Sequence, residues 1–127
     1  MRNMRYSFWF IVALLAVAIA LFTITGTATS KAAPSLTGTW TWDDGGIYYL
    51  RQIGSVLWWY GENDQVAPGF ATVAHGTIKG NTITLQWADV PKGDTTRSGI
   101  LKLKIVSDNE LQAFSKTGRF GGTTCTR

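Results

Sequence analysis

The sequence predicts an all-β chain: a small antiparallel up-and-down meander closed into a barrel of about eight short strands, with an apolar helix before it. Three observations carry this expectation. Apolar and polar residues alternate with a two-residue period, first in Leu36, Gly38, Trp40 and Trp42 against Thr37, Thr39, Thr41 and Asp43. Glycine, asparagine and aspartate punctuate the chain between such stretches, as tight turns require. After residue 33 no stretch holds a helical period over a useful length.

Taken in order, residues 36–42 form the first strand and Asp43-Asp44-Gly45-Gly46 its turn. Residues 47–53 form the second strand, and Gly54-Ser55 makes a tight hairpin into the third at 56–60. A polar loop over 62–69, containing Pro68-Gly69, precedes the fourth strand at 70–78. Lys79-Gly80-Asn81 turns into the fifth, 82–87, and a second long loop covers 88–96. The sixth strand is 98–106, with Leu101, Leu103 and Ile105 opposite in sense to Lys102 and Lys104. Ser107-Asp108-Asn109 leads to the seventh at 111–116, and the loop 118–122 to a short eighth within 123–127. Closing such a meander removes its two exposed edges. An open sheet or a two-sheet sandwich is the alternative.

Residues 1–33 are set apart from residues 34–127, the expected barrel domain. Arg2 and Arg5 precede an apolar run from Phe8 to Phe22, and the small residues Thr25, Gly26, Thr27, Ala28, Thr29 and Ser30 follow. That order is the order of a secretory signal peptide, so the domain is expected to be exported to the periplasm or medium. A membrane anchor over residues 8–25 is the rival reading, and it is the only membrane contact expected. With Arg2, Arg5 and Lys31 set aside, nine of the twelve Lys and Arg remain against eight acids. No basic run survives, which excludes nucleic acid as the expected partner.

A mature part this small compensates with large side chains, among them Trp40, Trp42, Trp58, Trp59 and Trp87. Cys125 is the only cysteine and has no internal partner. It reads as a small buried or strand-end residue, with an intermolecular disulfide as the alternative.

The meander order also says where binding groups collect. Connections alternate between the two ends of an up-and-down barrel. The second, fourth and sixth are tight, whereas three of the other four are long. Loops on a rigid frame are where binding usually sits. Asp43, Asp44, Glu62, Asp64, Asp89 and Asp94 fall at that loop end, with Lys92, Arg97 and Arg119 among them. Charged residues in exposed loops need no binding role, so the composition alone leaves both readings open.

Leu36-Thr37-Gly38-Thr39-Trp40 resembles the first strand of the calycin barrels, with the Gly38-x-Trp40 spacing of lipocalins and a likeness to the opening strand of the avidin group. The resemblance implies structural roles for Gly38 and Trp40, and for Arg127 as the late arginine that packs over the tryptophan near the closed end. It implies no ligand. The run from Asp43-Asp44-Gly45-Gly46 through Trp58-Trp59 to Gly61, with Trp87-Ala88-Asp89-Val90-Pro91-Lys92-Gly93, also resembles a group of small exported bacterial proteins of unassigned function.

The residues supply little reaction chemistry. His75 is the only histidine and lies in a strand, so it reads as structural rather than as a zinc ligand. No nucleophile motif appears, and residues 118–122 lack the lysine and helix of a phosphate loop. Asp43 and Asp44 read as turn formers before acid–base groups or calcium ligands. A non-enzyme without cofactor or metal is therefore expected. Two functions follow. One is a binding module that takes a small apolar or planar molecule in or at the mouth of an aromatic-rich barrel. The other is an envelope or extracellular interaction protein, of inhibitor type, using its loop end or an outer aromatic face. Trp58 and Trp59 are adjacent, so in a strand only one of them faces inward. With Trp87 and the loop charges Asp43, Asp44, Glu62, Asp89, Lys92 and Arg119 they are the candidate contact residues.

The exported chain is expected to begin between Lys31 and Ser35. Intact mass from the periplasm or medium checks this, and full-length chain in the membrane fraction would be the outcome of the anchor reading.

Overall fold

The computed structural model describes residues 33–127, of which Ala33–Arg127 is one compact unit. The export segment expected over 1–33 therefore lies outside the described residues apart from its last position. Eight strands follow one another: β1 Gly38–Trp42, β2 Ile47–Ile53, β3 Val56–Glu62, β4 Ala71–Lys79, β5 Thr82–Asp89, β6 Ser98–Ser107, β7 Glu110–Lys116 and β8 Thr124–Thr126. Each pairs antiparallel with the next, and β8 pairs back onto β1, so the sheet is a closed barrel with no free edge.

The period of two sends alternate residues inward. Trp40 and Trp42 of β1, Tyr48 and Leu50 of β2, and Leu57 and Trp59 of β3 are buried. Ala74, Ile83, Leu85, Trp87, Leu101, Leu103, Leu111 and Cys125 complete the inner surface. The interior is thus filled by side chains, as the narrow bore of an eight-stranded barrel allows. Packing at this density also needs gaps. Gly61 pairs with Tyr48, and a Cβ at Gly61 would lie 2.3 Å from the Tyr48 ring, so the phenol occupies the place of the missing side chain.

The two ends differ. Gly54 and Gly80 both adopt φ 60°, the left-handed conformation that a two-residue hairpin needs between twisted strands. These hairpins and the 108–109 turn make the closed end. Leu36 folds over it, 3% exposed, and its carbonyl accepts the Trp40 indole N–H at 2.9 Å. The Arg127 guanidinium lies 4.6 Å from the centre of the Trp40 ring. It also donates to the carbonyls of Thr37 and Ser35 at 3.2 and 3.0 Å. The arginine-over-tryptophan pairing expected for Trp40 and Arg127 is present, and a Cβ at Gly38 would sit 3.6 Å from Arg127 Nη1.

Trp40 is wholly buried, and its indole is hydrogen-bonded and capped by Arg127. Trp40→Ala is expected to lower unfolding free energy by about 3–5 kcal/mol, measured by denaturant titration. A loss below about 1 kcal/mol would place the ring outside the core.

Candidate functional site

The loop end is closed by aromatic rings. Phe120, from the β7–β8 connection, is 6% exposed. Its ring centre lies 5.3 Å from Trp87, 5.4 Å from Trp42, 6.1 Å from Trp59 and 6.4 Å from Tyr48. Tyr48 in turn meets Trp59 edge-on at 5.5 Å. A cavity of about 40 Å³ remains beside Phe120, lined by Asp44, Tyr48, Asp89 and Arg97 among others. That is room for a water molecule or two, and too little for an organic ligand.

Most of the loop-end charges expected to meet a ligand are engaged by neighbouring residues, and three of them join one connection to another. The Asp43 carboxylate accepts the Thr123 amide at 2.7 Å, joining the first connection to the last. Asp44 accepts the Gly46 amide at 2.7 Å and the Tyr48 hydroxyl at 2.8 Å. Glu62 ends β3 and accepts both the Tyr60 hydroxyl and, at 2.6 Å, the Lys92 ammonium from the 90–97 connection. The side chain of Asp89 is only 2% exposed and accepts the Thr95 hydroxyl and the Arg97 Nε. Arg97 reaches onward to the Arg119 carbonyl at 3.1 Å. The Arg119 side chain is exposed, and its backbone has φ 68°. Asp89 therefore differs from the exposed loop acid expected of it: β5 extends to it, and its carboxylate turns in among donors.

These partners set the acidities. Burial lifts the Asp44 carboxyl above its ordinary value, outweighing the Gly46 and Tyr48 hydrogen bonds that lower it. Burial, followed by the neighbouring Asp44, pushes the Tyr48 hydroxyl well up. The Lys92 hydrogen bond, then that of Tyr60, holds Glu62 below its ordinary value. Burial also raises the thiol of Cys125, which is free and enclosed by the barrel. Among the described residues, no group of three or more His, Cys, Asp or Glu side chains is placed to hold a metal ion.

The outer wall is different. An open groove of about 680 Å³ runs across β3 to β6, within the size range of small-molecule sites. The register places Trp58, His75, Gln86 and Ile100 side by side on one outward rung. Trp58 is 49% exposed, and its ring stacks on His75 with centres 5.2 Å apart and planes 26° apart. Val73 and Ile100 add exposed apolar surface. No Lys, Arg, Asp or Glu lines the groove. Of the candidate aromatic contacts, all three border the groove, but Trp58 alone is exposed on it. Trp59 and Trp87 point into the barrel, 4% and 3% exposed. His75, Gln86, Ile100 and Phe120 carried no site signal in the sequence. The available hint for Phe120 was a lone aromatic inside a glycine-rich connection, whereas the pairing of His75 with Trp58 emerges only from the register.

In comparison with known proteins, no family model, no curated protein and no solved structure matches the chain. The closed eight-stranded antiparallel barrel is compatible with a calycin-like architecture.

The two acids give pH effects of opposite sign. Stability from Glu62 is present above its ordinary pKa of 4.5 and lost as pH falls through the lowered folded value. Asp44 keeps its proton to higher pH in the folded chain than in the unfolded one. Its contribution is lost as pH rises from 3.8 through the raised folded value. Asp44→Asn is expected to remove that fall from the plot of denaturation midpoint against pH. Lys92→Ala is expected to return the Glu62 carboxyl titration, followed by carbon NMR, towards 4.5. An unchanged midpoint curve or titration would mean that these contacts do not persist in solution.

Proposed function

We propose that the domain is an exported, non-enzymatic binding module whose ligand is a small, planar, uncharged and largely apolar molecule, held in the outer groove against Trp58. The carrying observation is the half-exposed Trp58 ring, already stacked on His75, in a groove of about 680 Å³. A filled barrel interior supports placing the ligand outside it. The absence of charged side chains from the lining favours a neutral ligand, because an ion would lose hydration with no counter-charge in return. Gln86 and Ser98 supply the few polar groups that orient a ligand in an apolar site.

A second reading has its own observation. Tyr49 is 43% exposed on β2, and with Trp58, Val73 and Ile100 it extends the apolar surface over several neighbouring strands. Such a band also suits an envelope or extracellular protein partner.

The test is a titration of the protein with uncharged planar aromatics, followed by tryptophan fluorescence. Trp58 is the one tryptophan exposed among the described residues, so binding in the groove is expected to quench it at micromolar ligand. Trp58→Ala is expected to weaken binding at least about tenfold while the circular dichroism of the barrel stays unchanged. Undiminished affinity in Trp58→Ala would remove the groove from the reading. No response to any small molecule, together with a Trp58-dependent protein captured from envelope extract, would favour the second reading.

A further inference from the structure

Four described tryptophans are buried, and their indole N–H groups divide into two pairs. Trp40 donates to the Leu36 carbonyl at 2.9 Å and Trp87 to the Thr117 carbonyl at 3.1 Å. Trp42 and Trp59, 1% and 4% exposed, have indole nitrogens cut off from solvent with no hydrogen-bond partner among the described residues. A buried donor without an acceptor is costly, and native interiors seldom keep one without a reason. Here there are two, on rings that touch each other at 5.7 Å, and both rings pack on Phe120.

Phe120 is not part of the barrel wall. It comes from a connection in which Gly118 has φ 77° and Arg119 has φ 68°, the latter a conformation that non-glycine residues rarely adopt. Gly121 and Gly122 follow it. The connection is tied down by polar bonds at the rim: Arg97 to the Arg119 carbonyl, Lys116 to the Gly122 carbonyl at 3.1 Å, and the Thr123 amide to Asp43. Water can replace each of these when the connection lifts. What the ring itself supplies is apolar packing against both indoles, and it offers neither of them a hydrogen-bond acceptor. Trp42 meets the Phe120 ring edge-on and Trp59 meets it tilted, and contact with an aromatic ring compensates an N–H only weakly.

We infer that Phe120 is a displaceable plug, and that the space it fills is an inner binding site for a small, flat, uncharged molecule bearing hydrogen-bond acceptors, which the Trp42 and Trp59 indoles donate to. The ligand replaces the phenyl ring among Trp42, Tyr48, Trp59 and Trp87 and gains the hydrogen bonds that Phe120 leaves unmade. The cavity of about 40 Å³ beside the plug adds room for a second fused ring or a bound water. The ligand is neutral because Asp89 at the mouth already has its counter-charge in Arg97, while Asp44 is capped by the Gly46 amide and the Tyr48 hydroxyl. The inner site borders the outer groove, whose lining also includes Trp59 and Trp87, but it is argued from different observations.

The test compares quinoxaline with naphthalene, two fused rings of one shape that differ in having two acceptor nitrogens or none. Binding to the full chain is measured by calorimetry and by the indole N–H proton resonances. All arms carry Trp58→Ala, which removes the stacking ring of the outer groove, so the two sites are read apart. Phe120→Ala, with the space preformed, is expected to bind quinoxaline at least about tenfold more tightly than naphthalene. Downfield shifts of the Trp42 and Trp59 N–H signals are expected with it. The parent chain shows the same preference at lower affinity, reduced by the fraction of time the plug is out. Adding Trp42→Phe and Trp59→Phe abolishes the preference while the rings remain. Phe120→Leu gives the same comparison if the alanine variant does not fold. Equal affinity for the two probes in the Phe120 variants would overturn the inference, because the indoles would then not be donors to a ligand. So would unshifted indole signals in the parent chain at saturating quinoxaline, because the plug would then not move.

Discussion

The barrel closes on a short seam. β8 contributes only three residues, and its ladder to β1 is Thr41 with Thr126 and Trp42 with Cys125. Two rungs are little to hold an eight-stranded sheet shut, so other contacts extend the seam in both directions. Towards the loop end, the Asp43 amide donates to the Thr124 carbonyl at 3.0 Å while its carboxylate takes the Thr123 amide. Towards the closed end, Arg127 lies over Trp40 and ties the carbonyls of Ser35, Thr37 and Asp108 together. An arginine suits this position because its flat guanidinium can stack on an indole and still donate from its edge. Were the seam open, β1 and β8 would both be bare edges, and Trp40, Trp42 and Cys125 would lose one wall of their enclosure.

Closure also fixes how much the interior can hold, and here residue size decides. The inward rung through β3 to β6 reads Trp59, Ala74, Trp87 and Gly99. Large and small alternate, which lets two indoles share one layer of the bore without collision. Gly61 does the same for Tyr48, and a Cβ at Gly122 would lie 2.5 Å from Trp42. A domain of this size without a disulfide has to draw its stability from such packing. A preformed cavity large enough for a ligand would remove part of it. A ligand in the outer groove, or one that takes the place of the Phe120 ring as inferred above, would leave the packed interior in place.

The strand order, the tight hairpins and the contrast between the two ends were legible because each rests on local signals: alternation, glycine and asparagine at turns, and the count of connections. Strand ends were less so. β3 runs on to Glu62 and β5 to Asp89, past the last apolar residue, because cross-strand pairing continues through Gly61 and Ala88 whatever their polarity. The roles of the charged residues were not legible. Glu62 meets Lys92 across thirty positions of sequence, and Arg97 meets the Arg119 carbonyl across twenty-two. No periodicity records which loops lie together at one end of a barrel. The adjacent pair Trp58-Trp59 showed that one ring faces out, and the choice between them came only with the register.

That register explains why the outward rung is informative. Trp58, His75, Gln86 and Ile100 lie one residue from Trp59, Ala74, Trp87 and Gly99 along the same strands. Slipping the pattern by one would drive histidine and glutamine into the core and expel two indoles, so core packing holds the inward set firmly. It places no comparable demand on the outward set. Polar residues would serve there at no cost to the fold, as Thr77 and Thr84 do on the neighbouring outward rung. A half-exposed tryptophan stacked on a histidine, beside exposed Val73 and Ile100, therefore does not follow from the requirements of folding. Single exposed apolar residues are ordinary, but a contiguous apolar groove with an aromatic floor points to something that covers it. The same reasoning applies inside the mouth. Folding needs the space at Phe120 filled, but it does not need two buried N–H donors left without acceptors beside it. In both places the surplus is aromatic and uncharged, and the two proposed sites would accordingly favour the same kind of ligand chemistry.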